Sequence, residues 1–488
     1  MAEVAETHTG MVFLVGELAY KVKKPVVTDF LDFSTVDRRT QACTREVMLN
    51  RRLAPGSYLG LGRFTAPAGE AEPVIVMRRH PDDRRLATLA RRGADISGEL
   101  AAVASVLARF HAGAVRGPRI DDEARVAAVT GRWQENIAEL RRYADDVVPG
   151  LDGVAVAEIG ELATQFIAGR TALFAARIAG ERIVDGHADL LADDIFCLSA
   201  GPELLDCLEF DDRLRYVDVI DDAAFLAMDL EYLGRPELAG FFVNRYLDLT
   251  ADDGPASLWH FYIAYRAVVR AKVDCVRYTQ GHPAAVPDAA RHLGIALDHL
   301  RVGAVRLVMV GGAPGTGKST LARALVGPLD AVALSTDDLR AEMAAAGEIS
   351  GPPGTLGAGL YRAENVAAVY DSLLERAHHA LSRGRSVILD GTWGDPRQRD
   401  RVRALAAASS CPLTELVCAA PLADALTRIE TRTTTTSQVT PDIATALVAD
   451  DHWAPARWPQ AHRVDTTRPP SESVAAALKF CSAHHPVP

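Results

Sequence analysis

Gly311-Gly312-Ala313-Pro314-Gly315-Thr316-Gly317-Lys318-Ser319-Thr320 follows an apolar run, residues 305–310, and leads into Leu321-Ala322-Arg323-Ala324-Leu325. That order predicts a strand, a glycine-rich loop and a helix. From Gly312 to Ser319 the stretch satisfies G-x-x-x-x-G-K-[ST], in which glycines leave backbone N–H groups free to curl around phosphates at the positive end of a helix. Gly312, Ala313, Pro314, Gly315, Thr316 and Gly317 are therefore the expected phosphate cradle. Lys318 is expected to reach the β- and γ-phosphates, and Ser319 to offer a hydroxyl to Mg²⁺, which favours hard oxygen ligands. Thr320, also in the cradle segment, sits one residue deeper and is expected to pack. The predicted ligand is a nucleoside triphosphate.

Beyond this loop, short β-rich runs at residues 331–335, 386–390, 415–418 and 462–464 alternate with helical stretches. Apolar strands alternating with helices predict a parallel sheet covered on both faces, a three-layer α/β sandwich whose sites collect at the carboxyl ends of the strands. Asp337, Asp338 and Arg340 stand just past the second strand. A carboxylate there can accept the proton of a substrate hydroxyl while an arginine holds the substrate or the phosphate. The alternative is that Asp337 N-caps a helix with Asp338 in its first turn. Asp390 ends its strand either as a carboxylate beside Mg²⁺ or as a turn residue. Arg428 and Arg432 are four apart, so on a helix they share a face, which either closes over phosphates or is solvated. Arg397, Arg399, Arg401 and Arg403 are spaced by two, cannot share one helix face, and so argue against a single substrate cradle.

The chain has 488 residues, 48% hydrophobic and 24% charged, the composition of an ordinary globular protein of more than one domain. Its net charge of −11 argues against coating nucleic acid or an anionic membrane. From Gly303 onward there are 18 Lys+Arg and 19 Asp+Glu against totals of 53 and 64, which leaves 35 and 45 for the rest. The acidity thus lies in the N-terminal part, and a nucleic-acid substrate for the C-terminal part is disfavoured. Seven scattered cysteines with no C-x-x-C pair suggest neither a disulfide framework nor a zinc site. With no apolar h-region in residues 1–10 and no apolar run of membrane-spanning length, the expected location is the cytoplasm.

In that N-terminal part, residues 11–24 read as a β-hairpin turning at Gly16-Glu17, with Lys21 and Lys23 on one face of its second strand. Residues 35–53 look helical and carry Glu46, and residues 74–77 form a strand ending at Met77. Helical spacing returns at 97–114, 123–147 and 155–180. Then Asp189, Asp194, Asp206 and Asp218 recur at the ends of short strands. Carboxylates so grouped bind Mg²⁺ or handle a hydroxyl proton, or serve as turns and caps.

Together, GGAPGTGKST, LSTDDLR, VILDGTW and RIETR resemble the small ATP-dependent P-loop kinases that include gluconate kinase, polynucleotide 5′-kinases, chloramphenicol phosphotransferase and the zeta toxins. The likeness covers roughly residues 303–480. It implies Asp337 as general base, Arg340 as a substrate or phosphate contact, Asp390 at the third strand's end, and Arg428 and Arg432 as lid arginines. The acceptor stays open, since such kinases phosphorylate sugars, nucleic-acid ends, antibiotics and nucleotide sugars.

The order Lys21, Glu46, hinge-like Met77, His187-Ala188-Asp189 with Asp194, then Asp206 resembles the aminoglycoside phosphotransferase and choline kinase branch of the protein-kinase-like, bilobal fold, over about residues 10–300. The resemblance implies Lys21 on the α- and β-phosphates paired with Glu46, Asp189 as base, and Asp206 as main metal ligand. Asp194 would stand where that family has asparagine on Mg²⁺, and Asp218 would be structural. Lys23 for Lys21, and Glu209 beside Asp206, remain alternatives. Ala188 departs from the usual glycine, and the segment before Lys21 looks too short for a two-strand glycine-rich lid. The whole resembles fused bacterial proteins labelled bifunctional aminoglycoside phosphotransferase and ATP-binding protein. That implies a kinase-like domain at 1–300 and a P-loop kinase domain at 303–488, with ATP and Mg²⁺ as cofactors and a small-molecule hydroxyl as acceptor. The rival readings are a polynucleotide or nucleotide-sugar kinase, and a non-catalytic nucleotide-binding stress or energy sensor. The N-terminal half would be either a second phosphotransferase or a degenerate one.

Overall fold

The computed structural model describes residues 3–6, 10–27, 32–65, 71–352, 357–431, 439–449, 452–454 and 456–482. The chain divides into two compact units. One is Met1–Glu161 with Phe174–Gly254 and Leu258–Val302; the other is Gly303–Pro488 with Leu162–Leu173 and Pro255–Ser257. Among the described residues no helix is long and apolar enough to cross a membrane.

The first unit opens with an antiparallel five-stranded sheet in the order β1-β2-β3-β5-β4. Its strands are β1 (Glu3–Glu6), β2 (Gly10–Val15), β3 (Leu18–Lys23), β4 (Tyr58–Thr65) and β5 (Ala71–Arg78). The expected hairpin is β2–β3, turning through Gly16 at φ +57°, a left-handed conformation that costs glycine little. One expectation is corrected: β1 pairs with β2, so two strands do precede the strand carrying Lys21. Glu3-Val4-Ala5-Glu6 is a short edge strand half made of carboxylates, which keeps an edge from aggregating and removes the apolar signal a reader looks for. β4 escaped for a related reason, since Gly60 and Gly62 interrupt its alternation.

The helix Val36–Asn50 is N-capped by Thr35, whose hydroxyl accepts from the Arg38 N–H. Its buried Cys43 and Val47 pack with Ile75 and Met77 of β5 and Tyr58 of β4. That seating carries Glu46, with 0% exposure, under β3. The rest of the unit is largely helical. At its centre the helix Val219–Tyr232 is buried at every position from Val219 to Leu230. Two short antiparallel pairs, β6 (Ile183–Asp185) with β9 (Tyr216–Asp218) and β7 (Ile195–Leu198) with β8 (Gly201–Leu204), present the loops that hold Asp189, Asp194 and Asp206.

The second unit contains a parallel five-stranded sheet in the order β11-β12-β10-β13-β14. Here β10 is Leu307–Gly311, β11 Ala331–Ser335, β12 Ser386–Asp390, β13 Leu413–Ala419 and β14 His462–Asp465. Every residue of β10 and β12 is buried, as a sheet covered on both faces requires. On one face Val308, Val310, Ile388 and Leu416 pack against Leu321 and Leu325 of the helix Lys318–Val326. Parallel register sets Ser335, Asp390 and Val310 side by side at one end of the sheet, beside the glycine-rich loop.

Candidate functional site

The loop after β10 adopts backbone that only glycine takes easily. Gly312, Gly315 and Gly317 have φ of +137°, +80° and +89°. A Cβ on Gly315 would sit 2.4 Å from the Ala425 carbonyl oxygen, and one on Gly312 would sit 2.7 Å from that of Cys418. The Thr316 hydroxyl is turned inward, donating to the Ala313 carbonyl at 2.7 Å, so this residue shapes the loop. Lys318 Nζ donates to the same carbonyl at 3.1 Å, which holds its charge over the cradle. Thr320 corrects the expectation that it packs: it is exposed and lines the cavity in front of the loop.

Ser319 hydrogen-bonds Asp390, whose carboxyl is pushed up by burial against the opposing pull of Lys318 and of that bond. A hydroxyl and a carboxylate brought together at the foot of a phosphate loop form the hard-oxygen donor set that Mg²⁺ favours, with phosphate oxygens and water left to complete the shell.

Ser335 removes one of the two readings of Asp337. The Ser335 hydroxyl accepts from the Asp337 N–H at 3.3 Å and caps the helix Thr336–Ala345, so Asp337 is not the cap. Its carboxylate is left to meet Arg340, whose Nη1 donates to Asp337 Oδ1 at 2.7 Å. The Arg340 guanidinium also stands 4.4 Å from the centre of the Tyr361 ring. Lys318, Ser319, Asp337, Arg340, Asp390 and Arg428 all line one cavity of about 440 Å³. Arg428 reaches it from the helix Leu422–Thr431 by donating to the Thr466 carbonyl at 2.7 Å, while the Thr466 hydroxyl donates to the Thr316 carbonyl at 2.6 Å. Thr466 thus ties the arginine to the loop, a link over 150 residues that no local motif announces. Arg432 lies outside the described residues. The arginines after Asp395 do not form a cradle: Arg399 stacks on Trp458 at 4.8 Å, Arg401 pairs with Asp371, and Arg403 pairs with Glu415.

In the first unit, both lysines of β3 converge on one buried carboxylate. Lys21 Nζ is 2.8 Å from Glu46 and 2.5 Å from Asp206, and Lys23 Nζ is 2.6 Å from the other oxygen of Glu46 and also pairs with Glu209. Burial alone would lower the Lys21 pKa, but Asp206 and Glu46 raise it well above its ordinary value, and the ammonium stays charged. Burial likewise acts to raise Asp206, and Lys21 outweighs it, holding that carboxyl below its usual range. Asp189 is pushed up to about 6 by burial. Asp194 is raised by burial and by the nearby charges of Asp206 and Asp189. The carboxylates are close enough to feel one another. Among the described residues, though, no group of three or more His, Cys, Asp or Glu is arranged to hold a metal ion. Asp194 and Asp206 suit Mg²⁺ as a pair of oxygen donors, with Asp206 at present engaged by Lys21.

The loop bearing Asp189 is fixed by a residue the sequence reading passed over. Asp222 accepts from the backbone N–H groups of His187 and Ala188 at 2.7 Å each, and pairs with His111 at 3.0 Å. Burial pushes the Asp222 carboxyl up, and these bonds override it and hold it well below the usual range. Arg266, paired with Asp221, donates to the Ala188 carbonyl at 3.2 Å. Two adjacent aspartates opening the apolar run Ala223-Ala224-Phe225-Leu226 were the available signal, because a carboxylate in a buried helix must have partners. Ala188 sits at φ +68° and Asp206 at +63°, so alanine here occupies the left-handed conformation that glycine would take more easily. Asp218 caps the helix Val219–Tyr232 and binds Arg177 through both oxygens, a structural role.

Residues 307–448 match the family model AAA_33, described as an AAA domain. An uncharacterized protein of Mycobacterium tuberculosis, strain H37Rv (Rv2004c), is 52% identical over 476 residues, covering 97% of this chain and 94% of that protein. A protein of Mycobacterium bovis (Mb2027c) matches to the same extent, 52% over 476 residues. The chain belongs to the family of these mycobacterial proteins. Among solved structures, a choline/ethanolamine kinase family protein from Mesorhizobium loti aligns at TM-score 0.37 and 14% identity, covering 61% of this chain and 92% of its own. A gluconokinase from Sinorhizobium meliloti 1021 aligns at TM-score 0.27 and 19% identity, covering 36% and 90%. The family match and the parallel sheet around the glycine-rich loop make the C-terminal part a P-loop half.

Proposed function

We propose that the chain is an ATP-dependent phosphotransferase whose P-loop half, residues 303–488, transfers the γ-phosphate to a hydroxyl of a small molecule. The observation that carries this reading is that Lys318, Ser319 and Asp337 face one cavity of about 440 Å³. Asp337 takes the proton of the acceptor hydroxyl as its oxygen bonds to the γ-phosphorus. The bond from that phosphorus to the β–γ bridging oxygen breaks, and ADP leaves with the electron pair. Lys318 and Arg428 hold the phosphates as charge shifts toward the bridge. Ser319 and Asp390 would hold Mg²⁺, which neutralises phosphate charge when bound. A cavity of about 440 Å³ supports a small acceptor over a polynucleotide end, and a cytoplasmic supply of ATP fits the reading.

For residues 1–300 we propose a second nucleotide site, with Lys21 and Glu46 for phosphates, Asp206 and Asp194 for metal and Asp189 as base. Lys21 is favoured over Lys23 because it is the lysine that meets Asp206, while Lys23 is buried with Glu46 and Glu209.

Two variants of the full chain test the reading. Lys318→Ala should remove most of the ATP binding assigned to the P-loop, read by calorimetry as loss of one binding event. Asp337→Asn should leave ATP binding in place and lower phosphoryl transfer by roughly 10²-fold. Transfer at the wild-type rate in Asp337→Asn would show that this carboxylate is not the base.

A further inference from the structure

We propose that the acceptor of the P-loop half is an electrically neutral alcohol with an apolar face, and not an anion such as a sugar acid, a nucleotide or a nucleic-acid end. This rests on the phosphotransferase reading above and narrows it to a substrate class.

Charge matching in the cavity carries the argument. Among the described residues the cations that line it are Lys318, Arg428 and Arg340. Lys318 lies over the phosphate cradle, and Arg428 Nη1 is 3.7 Å from where a Cβ of Gly317 would be, so both serve the nucleotide. Of these three, Arg340 stands on the acceptor side, and its charge is already answered by Asp337 at 2.7 Å. Its planar face lies against Tyr361, and its Nε is enclosed by protein, leaving that donor out of a ligand's reach. Arg340 is on this view a positioning residue that orients Asp337. Among the described residues, an acceptor carrying its own negative charge would meet no cation on this side without a carboxylate partner, and it would approach the Asp337 carboxylate as a like charge.

Another part of the lining has the complementary character. Ile443 and Leu447, four apart on the helix Pro441–Ala449, line the cavity together with Val366 of the helix Ala363–Ser382. Branched aliphatic side chains there gain by covering apolar surface and offer nothing to a carboxylate or phosphate. The hydroxyl that reacts would point to Asp337, and the apolar face of the same molecule would rest on Val366, Ile443 and Leu447.

Matched probes that differ only in charge test this on the full chain, saturated with Mg²⁺ and a non-hydrolysable ATP analogue. The pairs are 4-(hydroxymethyl)benzamide with 4-(hydroxymethyl)benzoate, and glucuronamide with glucuronate, with affinities read by ligand-observed NMR titration. The neutral member of at least one pair should bind roughly tenfold more tightly than its anionic partner. Ile443→Asp should weaken that neutral probe by roughly tenfold while the analogue binds as before. Leu447→Lys, which adds an unmatched cation, should shift preference toward the anion. If Ile443→Asp does not fold, as judged by circular dichroism, Ile443→Ala should still weaken the neutral probe severalfold. Equal or tighter binding of both anions, no binding of either neutral probe, or indifference of the neutral probe to these changes would each overturn the proposal. Failure of the ATP analogue itself to bind would instead bring down the phosphotransferase reading beneath it.

Discussion

Lys318 lies 3.1 Å from the carbonyl of Ala313, a partner five residues away, whereas Lys21 is clamped by Glu46 and by Asp206, the latter 185 residues along the chain. The P-loop site is made by local backbone: three glycines with positive φ leave a cradle, and a single ammonium rests on it. The cluster around Lys21 is made by distant side chains, with two lysines neutralised by Glu46, Asp206 and Glu209 before any ligand arrives. A cradle of N–H groups is usable as soon as the loop folds. A clamped lysine must be drawn away from its carboxylates, or share them with metal and phosphate, so the second site is expected to bind nucleotide more weakly.

The largest effect that would break this contrast is at Lys23. Its ammonium is almost wholly enclosed and answers Glu46 and Glu209. Lys23→Met would leave those buried carboxylates short of a cation, at a cost of about 3–5 kcal/mol. Urea denaturation followed by tryptophan fluorescence should show the transition of the first unit moving to lower denaturant. A midpoint at the wild-type value would mean that the network is solvated and the clamp loose.

Next in size is Gly315→Ala, which probes the local site. The new methyl would have to clear the Ala425 carbonyl while the backbone stays at φ +80°. Either the loop shifts or the left-handed conformation is lost, and both misplace N–H groups aimed at phosphate. We expect ATP affinity of the P-loop site to fall by roughly tenfold or more, read by calorimetry, with little change in far-ultraviolet circular dichroism. Unchanged affinity would show that the cradle tolerates a backbone shift and that Lys318 does most of the holding.

The same contrast explains what could be read in advance. The octet from Gly312 to Ser319, the strands around it, and the placement of Asp337 and Asp390 were legible because each is a short-range pattern tied to one strand end. The sharing of Glu46 by two lysines was only half visible. Alternation puts Lys21 and Lys23 on one face, but nothing in β3 says that they meet the same carboxylate. Asp222, Arg266 and Thr466 were missed because they act on backbone carbonyls and N–H groups far along the chain, and no spacing rule reports such bonds. The edge strand β1 was missed because charge, which protects an edge, also hides its period.

The smallest effect sharpens the comparison at Ala188, where the first unit uses glycine-like backbone without glycine. Ala188 is 2% exposed and holds φ +68°, with its N–H bonded to Asp222 and its carbonyl to Arg266. Those two bonds over-determine the peptide, so the left-handed conformation persists although an alanine there carries about 1–2 kcal/mol of strain. Ala188→Gly removes the strain but adds about 0.5–1 kcal/mol of backbone entropy lost on folding, and it also gives up the packing of a buried methyl. The terms nearly cancel, so we expect stability to change by about 1 kcal/mol or less in either direction, measured by denaturation. Nucleotide binding should be unaffected, since Asp222 fixes the loop whichever residue stands at 188. A destabilisation of several kcal/mol would show that the methyl packs a critical gap. A gain of similar size would show that Asp222 and Arg266 hold a conformation the chain would otherwise leave, making this loop, unlike the glycine cradle, a structure imposed from outside its own sequence.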